Sequence, residues 1–218
     1  MEKKYPILIT AKGESIRFPE KNKKLLPYTA KWLGNSKDRC ILLTDSLDLI
    51  NSSNNFGISG YYIDNNIGEI PTILDWIEGS NYVGDYIIML PLTQPLRNIN
   101  LLDMLENFDN PQNYDFITSF TYLPDRSIFE ISEDGKFIVE SPERLGKLCK
   151  KRRVLDGSIY LIKTAWIKEV SKYGNNWNSK FWSGKIGLIE NTLPLLDIDY
   201  KEDLDILTNI INTVRIIT

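Results

Sequence analysis

The chain alternates short, almost wholly apolar runs with longer stretches in which apolar residues recur at helical spacing. Residues 5–11 (YPILITA), 40–45 (CILLTD), 60–63 and 85–90 (DYIIML) are of the first kind and predict buried strands, the first ended by Lys12-Gly13. Between them, 46–55 is helix-compatible through Leu47, Leu49 and Ile50, and about 69–78 is helical through Ile70, Ile73, Leu74 and Ile77. Asn98 stands where it would cap a helix carrying Leu101, Leu102, Leu105 and Phe108 on one side. Short apolar strands separated by helices imply βαβ crossovers. The expected fold is therefore α/β, a mostly parallel Rossmann-like sheet with helices on both faces. Such sheets bind ligands beyond the carboxyl ends of their strands, so the loops after Ala11, Asp45 and Leu90 are where chemistry is expected.

The pattern changes after residue 115. Residues 115–121 predict one more strand, and 127–140 then alternate around Asp134-Gly135, a hairpin signal. A basic stretch runs on to Arg153 before VLDGSIYLI (154–162) returns to the core. The expectation is one domain over 1–218, with 122–153 leaving the sheet as a β-arm. A lone hairpin is marginal in water, so the arm is expected to pair with a second subunit. A last strand through Asp197 and Asp199 precedes a helix marked by Leu204, Leu207, Ile211 and Val214.

Composition narrows the chemistry. With 42% apolar and 25% charged residues in 218, the chain reads as soluble and globular. It contains no histidine, which excludes Ser-His-Asp and Cys-His catalysis, HExxH zinc and a proximal-His haem. Cys40 and Cys149 are far apart and fit two unpaired thiols in a reducing compartment. The net charge is only -3, yet cations cluster at Lys12, Arg17, Lys21, Lys23 and Lys24, and again from Lys147 to Arg153. That distribution points to a small anionic ligand and away from nucleic acid. No apolar run approaches the roughly 20 residues of a membrane span, and PILI is too short for a signal segment, so no membrane partner and a cytoplasmic location are expected.

The most informative segment is AKGESIRFPEKN, Ala11 to Asn22, directly after the first strand. A glycine-bearing loop with Lys12, Arg17 and Lys21 at a strand's carboxyl end has the charge to surround a polyphosphate, with backbone N–H groups and Ser15 as further donors. A polar surface loop with solvated lysines is the alternative. Neither GxxxxGK[ST] nor GxGxxG is present.

This segment resembles the signature of the cytidylyltransferases that activate acidic sugars, the acylneuraminate (CMP-sialic acid synthetase) and KDO cytidylyltransferase group. Ala11, Gly13, Ser15, Arg17, Pro19, Lys21 and Asn22 fall in register with it. Three further segments follow in the family's order. LPLTQPLR (Leu90 to Arg97) is similar to L-Q-P-T-S-P-L-R, DGSIY (Asp156 to Tyr160) to N-G-A-I-Y, and LDIDYKEDLDI (Leu196 to Ile206) to V-D-I-D-T-x-x-D. Thr44 to Ser46 (TDS) also suits the family's second strand end.

The resemblance implies a nucleotide-diphospho-sugar transferase fold and transfer of CMP from CTP to an acidic, sialic acid-like nonulosonic sugar, with release of pyrophosphate by a homodimer. It implies nucleotide binding by Ala11, Lys12, Gly13, Ser15, Arg17, Lys21 and Asn22, with Lys12 and Lys21 also stabilising the transition state. Thr93, Gln94, Arg97, Asp156, Tyr160, Phe181 and Trp182 fall at substrate positions, and Asp197 and Asp199 at a Mg²⁺ site.

Several of these residues keep an alternative role. Arg97 would serve equally as a structural arginine, Tyr160 as core, Phe181-Trp182 as a loop anchor and Lys150 to Arg153 as a solvated face. Asp199 with Glu202 would make a capping box, and Asp203 a first-turn dipole partner. The chain departs from the family at Lys12, Glu14, Ile16, Pro91 and Asp156. Two other functions therefore stay open: a sugar phosphate or phosphonate acceptor, and a catalytically impaired nucleotide-binding homologue with a regulatory or assembly role.

Overall fold

Ile7 and Ile9 turn to one side of the first strand and Leu8 to the other, and none of the three is exposed. A strand buried on both faces must sit inside a three-layer fold. In the computed structural model, which describes residues 5–64, 68–123, 129–131, 137–139 and 152–214, this is what the chain builds. The strands are β1 (Ile7–Thr10), β2 (Cys40–Thr44), β3 (Ser59–Tyr62), β4 (Tyr86–Met89), β5 (Phe116–Leu123), β6 (Phe129–Ile131), β7 (Phe137–Val139), β8 (Arg152–Lys163) and β9 (Ile186–Glu190). Seven of them form one sheet in the order β3-β2-β1-β4-β8-β5-β9. All neighbours pair in parallel except β8, which runs antiparallel to β4 and β5.

The helices are α1 (Lys21–Leu33), α2 (Leu47–Asn54), α3 (Glu69–Gly79), α4 (Leu101–Glu106), α5 (Thr164–Ser171), α6 (Trp177–Phe181) and α7 (Lys201–Val214). α1, α2, α4 and α7 cover the face of Ile7 and Ile9, adding Leu25, Leu26, Leu49, Leu101, Leu105 and Leu207 to that core. α3, α5 and α6 cover the face of Leu8 with Ile70, Ile73, Ile77, Ile167, Val170 and Phe181. The expected mostly parallel sheet with helices on both faces is the observed fold. None of these helices is long and apolar enough to cross a membrane.

Several elements differ from expectation, α5 and α6 among them, which the sequence did not predict. α1 begins inside the motif loop and contains Pro27, whose missing N–H interrupts the ladder, so the segment does not read as a helix. Its buried Leu25, Leu26, Thr29, Ala30 and Leu33 nevertheless fall on one side. β9 is an edge strand that turns Gly187 inward and leaves Leu188 exposed, so its sequence shows no apolar alternation. The segment around Asp197 and Asp199, expected as a strand, joins no sheet. β6 and β7 pair antiparallel as a separate two-stranded sheet, Phe129 opposite Val139. The turn at Asp134-Gly135, Cys149 and the cations from Lys147 to Lys151 lie outside the described residues.

Candidate active site

The loop after β1 is shaped by its neighbour β2. Ala11 N–H donates to Leu43 O at 3.0 Å, the last bond of the β1–β2 ladder. Gly13 N–H then donates to the Asp45 carboxylate at 2.6 Å. The approach is so close that a Cβ at residue 13 would stand 2.5 Å from Ser46 Cβ, so only glycine fits. Ser46 is itself fixed, its Oγ accepting from Leu49 N–H at 3.3 Å as the N-cap of α2. At the far end of the loop, Asn22 Nδ2 donates to Lys12 O at 2.7 Å and folds the first turn of α1 back onto the strand. Gly13 and Asn22 thus spend their polar groups on shaping the loop.

Lys21, Lys23 and Lys24 lie in the first four residues of α1, which has no acid in its first turn. Cations at the positive end of a 13-residue helix repel the macrodipole. Asp48 relieves this at Lys23 (2.9 Å), and Asp199 relieves it at Lys21 (3.2 Å). The same Asp199 oxygen also holds Arg17 at 2.9 Å. Tyr200 and Asp199 together raise the Arg17 pKa above its ordinary value.

Above this cluster opens a cleft of about 340 Å³. Thr10, Ala11, Lys12, Ser15, Arg17, Lys21 and Asn22 form one wall, with Thr93 beside them. Gly13, by contrast, turns its N–H to Asp45. Glu14 also lines the cleft, and Gly68 and Glu69 at the start of α3 close it from across the sheet. Glu69 has no sequence motif of its own and is found only through the topology that brings α3 opposite the first loop.

Asp197 and Asp199 flank Ile198, which is fully buried and donates its N–H to Thr93 O at 2.7 Å. That bond ties the segment to the cleft wall, with Asp197 exposed and Asp199 partly buried on either side of it. Cap formation falls to Asp203, whose carboxylate accepts from the N–H groups of Asp199 (2.9 Å) and Tyr200 (2.8 Å), in place of the expected Asp199–Glu202 pair. Asp197 is exposed and makes no hydrogen bond or ion pair among the described residues. Those residues hold no group of three or more acids or thiols able to cage a metal. Mg²⁺ commonly takes only one or two carboxylates and completes its shell with phosphate oxygens and water, so this pair of hard oxygen donors fits it.

The substrate positions separate by burial. Arg97 is 2% exposed, and its donors go to Ser158 O (2.9 Å), Thr29 Oγ1 (3.3 Å) and Pro91 O. Its guanidinium also lies 5.3 Å from the Trp32 ring. Burial lowers its pKa and Asp156 opposes that. Arg97 is therefore a strut of the β4–α4 loop and not a ligand contact. Asp156 is 1% exposed and accepts from Ser119 Oγ and from Ser158 N–H at 3.2 Å, which closes it off in the same way. Phe181 is core, stacked on Phe116 at 4.3 Å.

Tyr160 is mostly buried, and burial pushes its hydroxyl up to about 12, so it stays protonated at neutral pH. Both its Oη and Gln94 Oε1 approach to 2.8 Å of where a Gly157 Cβ would stand; Gly157 has φ +61°. Gln94 Oε1 is buried with no hydrogen-bond partner. Trp182 is 41% exposed, edge-on to Phe116, Tyr160 and Phe181. Of the seven substrate positions, Thr93, Gln94 and Trp182 keep a polar group or ring that is not spent within the core, whereas Tyr160 packs into it beside Thr118.

Neither a family model nor a curated protein matches the sequence. Solved structures do. The chain is similar to CMP:2-keto-3-deoxy-manno-octonic acid synthetase complexed with CTP, at 12% identity and TM-score 0.67 over 96% of this chain and 99% of that one. It is similar to a cytidylyltransferase from Leptospira borgpetersenii serovar Hardjo-bovis at 18% identity and TM-score 0.61, over 96% of this chain and 87% of the other. It is also similar to 4-diphosphocytidyl-2C-methyl-D-erythritol synthase from Anaerococcus prevotii, with 11% identity, TM-score 0.62 and coverage of 97% and 100%. What these proteins share with the chain is the fold, a mostly parallel sheet with helices on both faces.

Proposed function

We propose that the chain is a nucleotidyltransferase that moves CMP from CTP to a hydroxyl of an acidic, sialic acid-like sugar. The hydroxyl oxygen would bond to the α-phosphorus as the bond from that phosphorus to the bridging oxygen breaks, giving a CMP-sugar, pyrophosphate and a proton. The observation that carries this reading is the cleft at the carboxyl end of β1, where Lys12, Ser15, Arg17 and Lys21 line one wall.

Transfer of this kind depends on positioning and charge neutralisation, which a protein without histidine supplies through cations. Lys12 and Lys21 hold the phosphates and the charge that develops on them. Arg17 and Ser15 add donors, and Thr93, Gln94 and Trp182 face the acceptor. Asp197 and Asp199 would hold Mg²⁺, which when bound neutralises triphosphate charge.

Cytosine and an acidic sugar are inferred from the motif resemblance, and the fold shared with a CTP-complexed synthetase supports them. The β6–β7 hairpin, too small to be stable alone, supports a homodimer completed through the arm. The buried setting of Asp156 also removes one ground for a different acceptor, since its carboxylate is answered inside the protein.

The test is pyrophosphate release from CTP with Mg²⁺ across nonulosonic acids, KDO and sugar phosphates. Release with a nonulosonic acid is expected. Turnover with a phosphorylated acceptor alone would replace the acceptor assignment, and CTP binding without release from any acceptor would replace catalysis with a binding role.

A further inference from the structure

The first residue after β9, Asn191, is 1% exposed and belongs to no motif. Its amide meets matching partners on every side. Nδ2 donates to Leu96 O at 2.9 Å and to the Asp156 carboxylate at 2.6 Å, with Ser158 Oγ at 3.3 Å. Oδ1 accepts from Asn98 N–H at 3.0 Å and Leu193 N–H at 3.3 Å. Its own N–H continues the β5–β9 ladder to Phe120 O at 2.7 Å.

One side chain therefore joins three segments that approach the cleft. These are the β4–α4 loop that presents Thr93 and Gln94, the irregular stretch of β8 around Gly157, and the chain running on to Asp197 and Asp199. The first and third meet again at the site itself, through the Ile198 N–H bond to Thr93 O. Buried polar groups in such a network have no water to fall back on, so losing the amide leaves several donors and acceptors unmatched at once.

We propose that Asn191 is a positioning residue that sets where Asp197 and Asp199 stand relative to Thr93, and so governs the metal-assisted part of nucleotide binding without touching the nucleotide. This rests on the nucleotidyl-transfer reading for its functional consequence, and on the hydrogen bonds alone for its structural one. The amide is required for its polarity. An aspartate of the same shape would set a carboxylate against Asp156, and alanine would abandon all five contacts.

The experiment uses the full chain with Asn191→Ala and the exchange variant D156N/N191D. The exchange restores the carboxylate–amide pair, with the Ser158 hydroxyl turned round to donate, and sets a carboxylate oxygen beside Leu96 O in place of that hydrogen bond. Amide hydrogen exchange at Ile198 is read first. In Asn191→Ala it should quicken about tenfold or more, while Ala11, in the β1–β2 ladder, changes less than about twofold. The exchange variant should recover most of that protection.

CTP affinity is then measured by calorimetry with and without Mg²⁺. The metal's tightening of CTP should shrink about tenfold in Asn191→Ala, while metal-free affinity stays within about twofold of wild type. Unchanged Ile198 exchange, or equal quickening across the whole sheet, would overturn the positioning role. Wild-type protein that binds no CTP would overturn the nucleotidyl-transfer reading, and the exchange result would still decide the role of Asn191. Should Asn191→Ala fail to fold, the exchange variant carries the same test. Ile198 protection no better than in D156N alone would then overturn the proposal.

Discussion

At the residue scale, Asp199 stands between two kinds of cation, side chains and metal. In the chain as it stands, one carboxylate oxygen answers both Arg17 and Lys21; with nucleotide and metal present, the proposed site gives the cations to phosphate and the carboxylate to Mg²⁺. The two states compete. The Arg17 side chain is 55% exposed, so its pair with Asp199 is screened and weak. Asp199→Asn should thus free the cations and tighten metal-free CTP binding about two- to fivefold, while lowering Mg²⁺-dependent turnover about a hundredfold or more. Asp197→Asn should share the loss of turnover but leave metal-free binding unchanged, because Asp197 restrains no cation. Calorimetry in chelator, beside a pyrophosphate assay, reads both; near-wild-type rates in both variants would dismiss the metal assignment. The sequence displayed the chemistry of these residues but not how each was spent. Arg97 and Lys21 are both buried cations, and only their partners separate the strut, which donates to Ser158 O, Thr29 and Pro91 O, from the cleft residue, which donates to Asp199.

At the scale of elements, the site depends on how the β1–α1 loop is pinned to the β2–α2 junction. Gly13 passes Ser46 where no side chain fits, and Asp45 takes its N–H. Gly13→Ala must push the loop off that junction, at a cost of about 1–3 kcal/mol, and should raise KM for CTP about tenfold or more. Ser46→Gly in the same chain opens the space and should recover much of the lost affinity. A Gly13→Ala enzyme with unchanged KM would show that the loop does not shape the nucleotide site. The strands β1, β2 and β4 were legible because both their faces are apolar. α1 was hidden by Pro27 and by a first turn crowded with lysine. The Asp197–Asp199 segment alternates like a strand, yet Ile198 makes a single backbone bond where a strand would make a ladder.

At the scale of the whole molecule, residues 11–22, 68–69, 93 and 197–199 are gathered only by the sheet order β3-β2-β1-β4-β8-β5-β9. Loops beyond the first strands were predictable as ligand loops from the parallel pattern alone. Their junction with the last segment was not, because it depends on β8 running backwards between β4 and β5 and on the Asn191 contacts behind it. The central claim is that this junction is a nucleoside triphosphate site in which Lys21, 9% exposed at the head of α1, is a principal phosphate contact. The direct measurement is a calorimetric titration of CTP with Mg²⁺ into the wild-type chain and into Lys21→Met. Saturable binding that weakens about tenfold to a hundredfold in Lys21→Met is the predicted result. Equal affinity in the two proteins, or no binding of CTP or any other nucleoside triphosphate by the wild type, would contradict it.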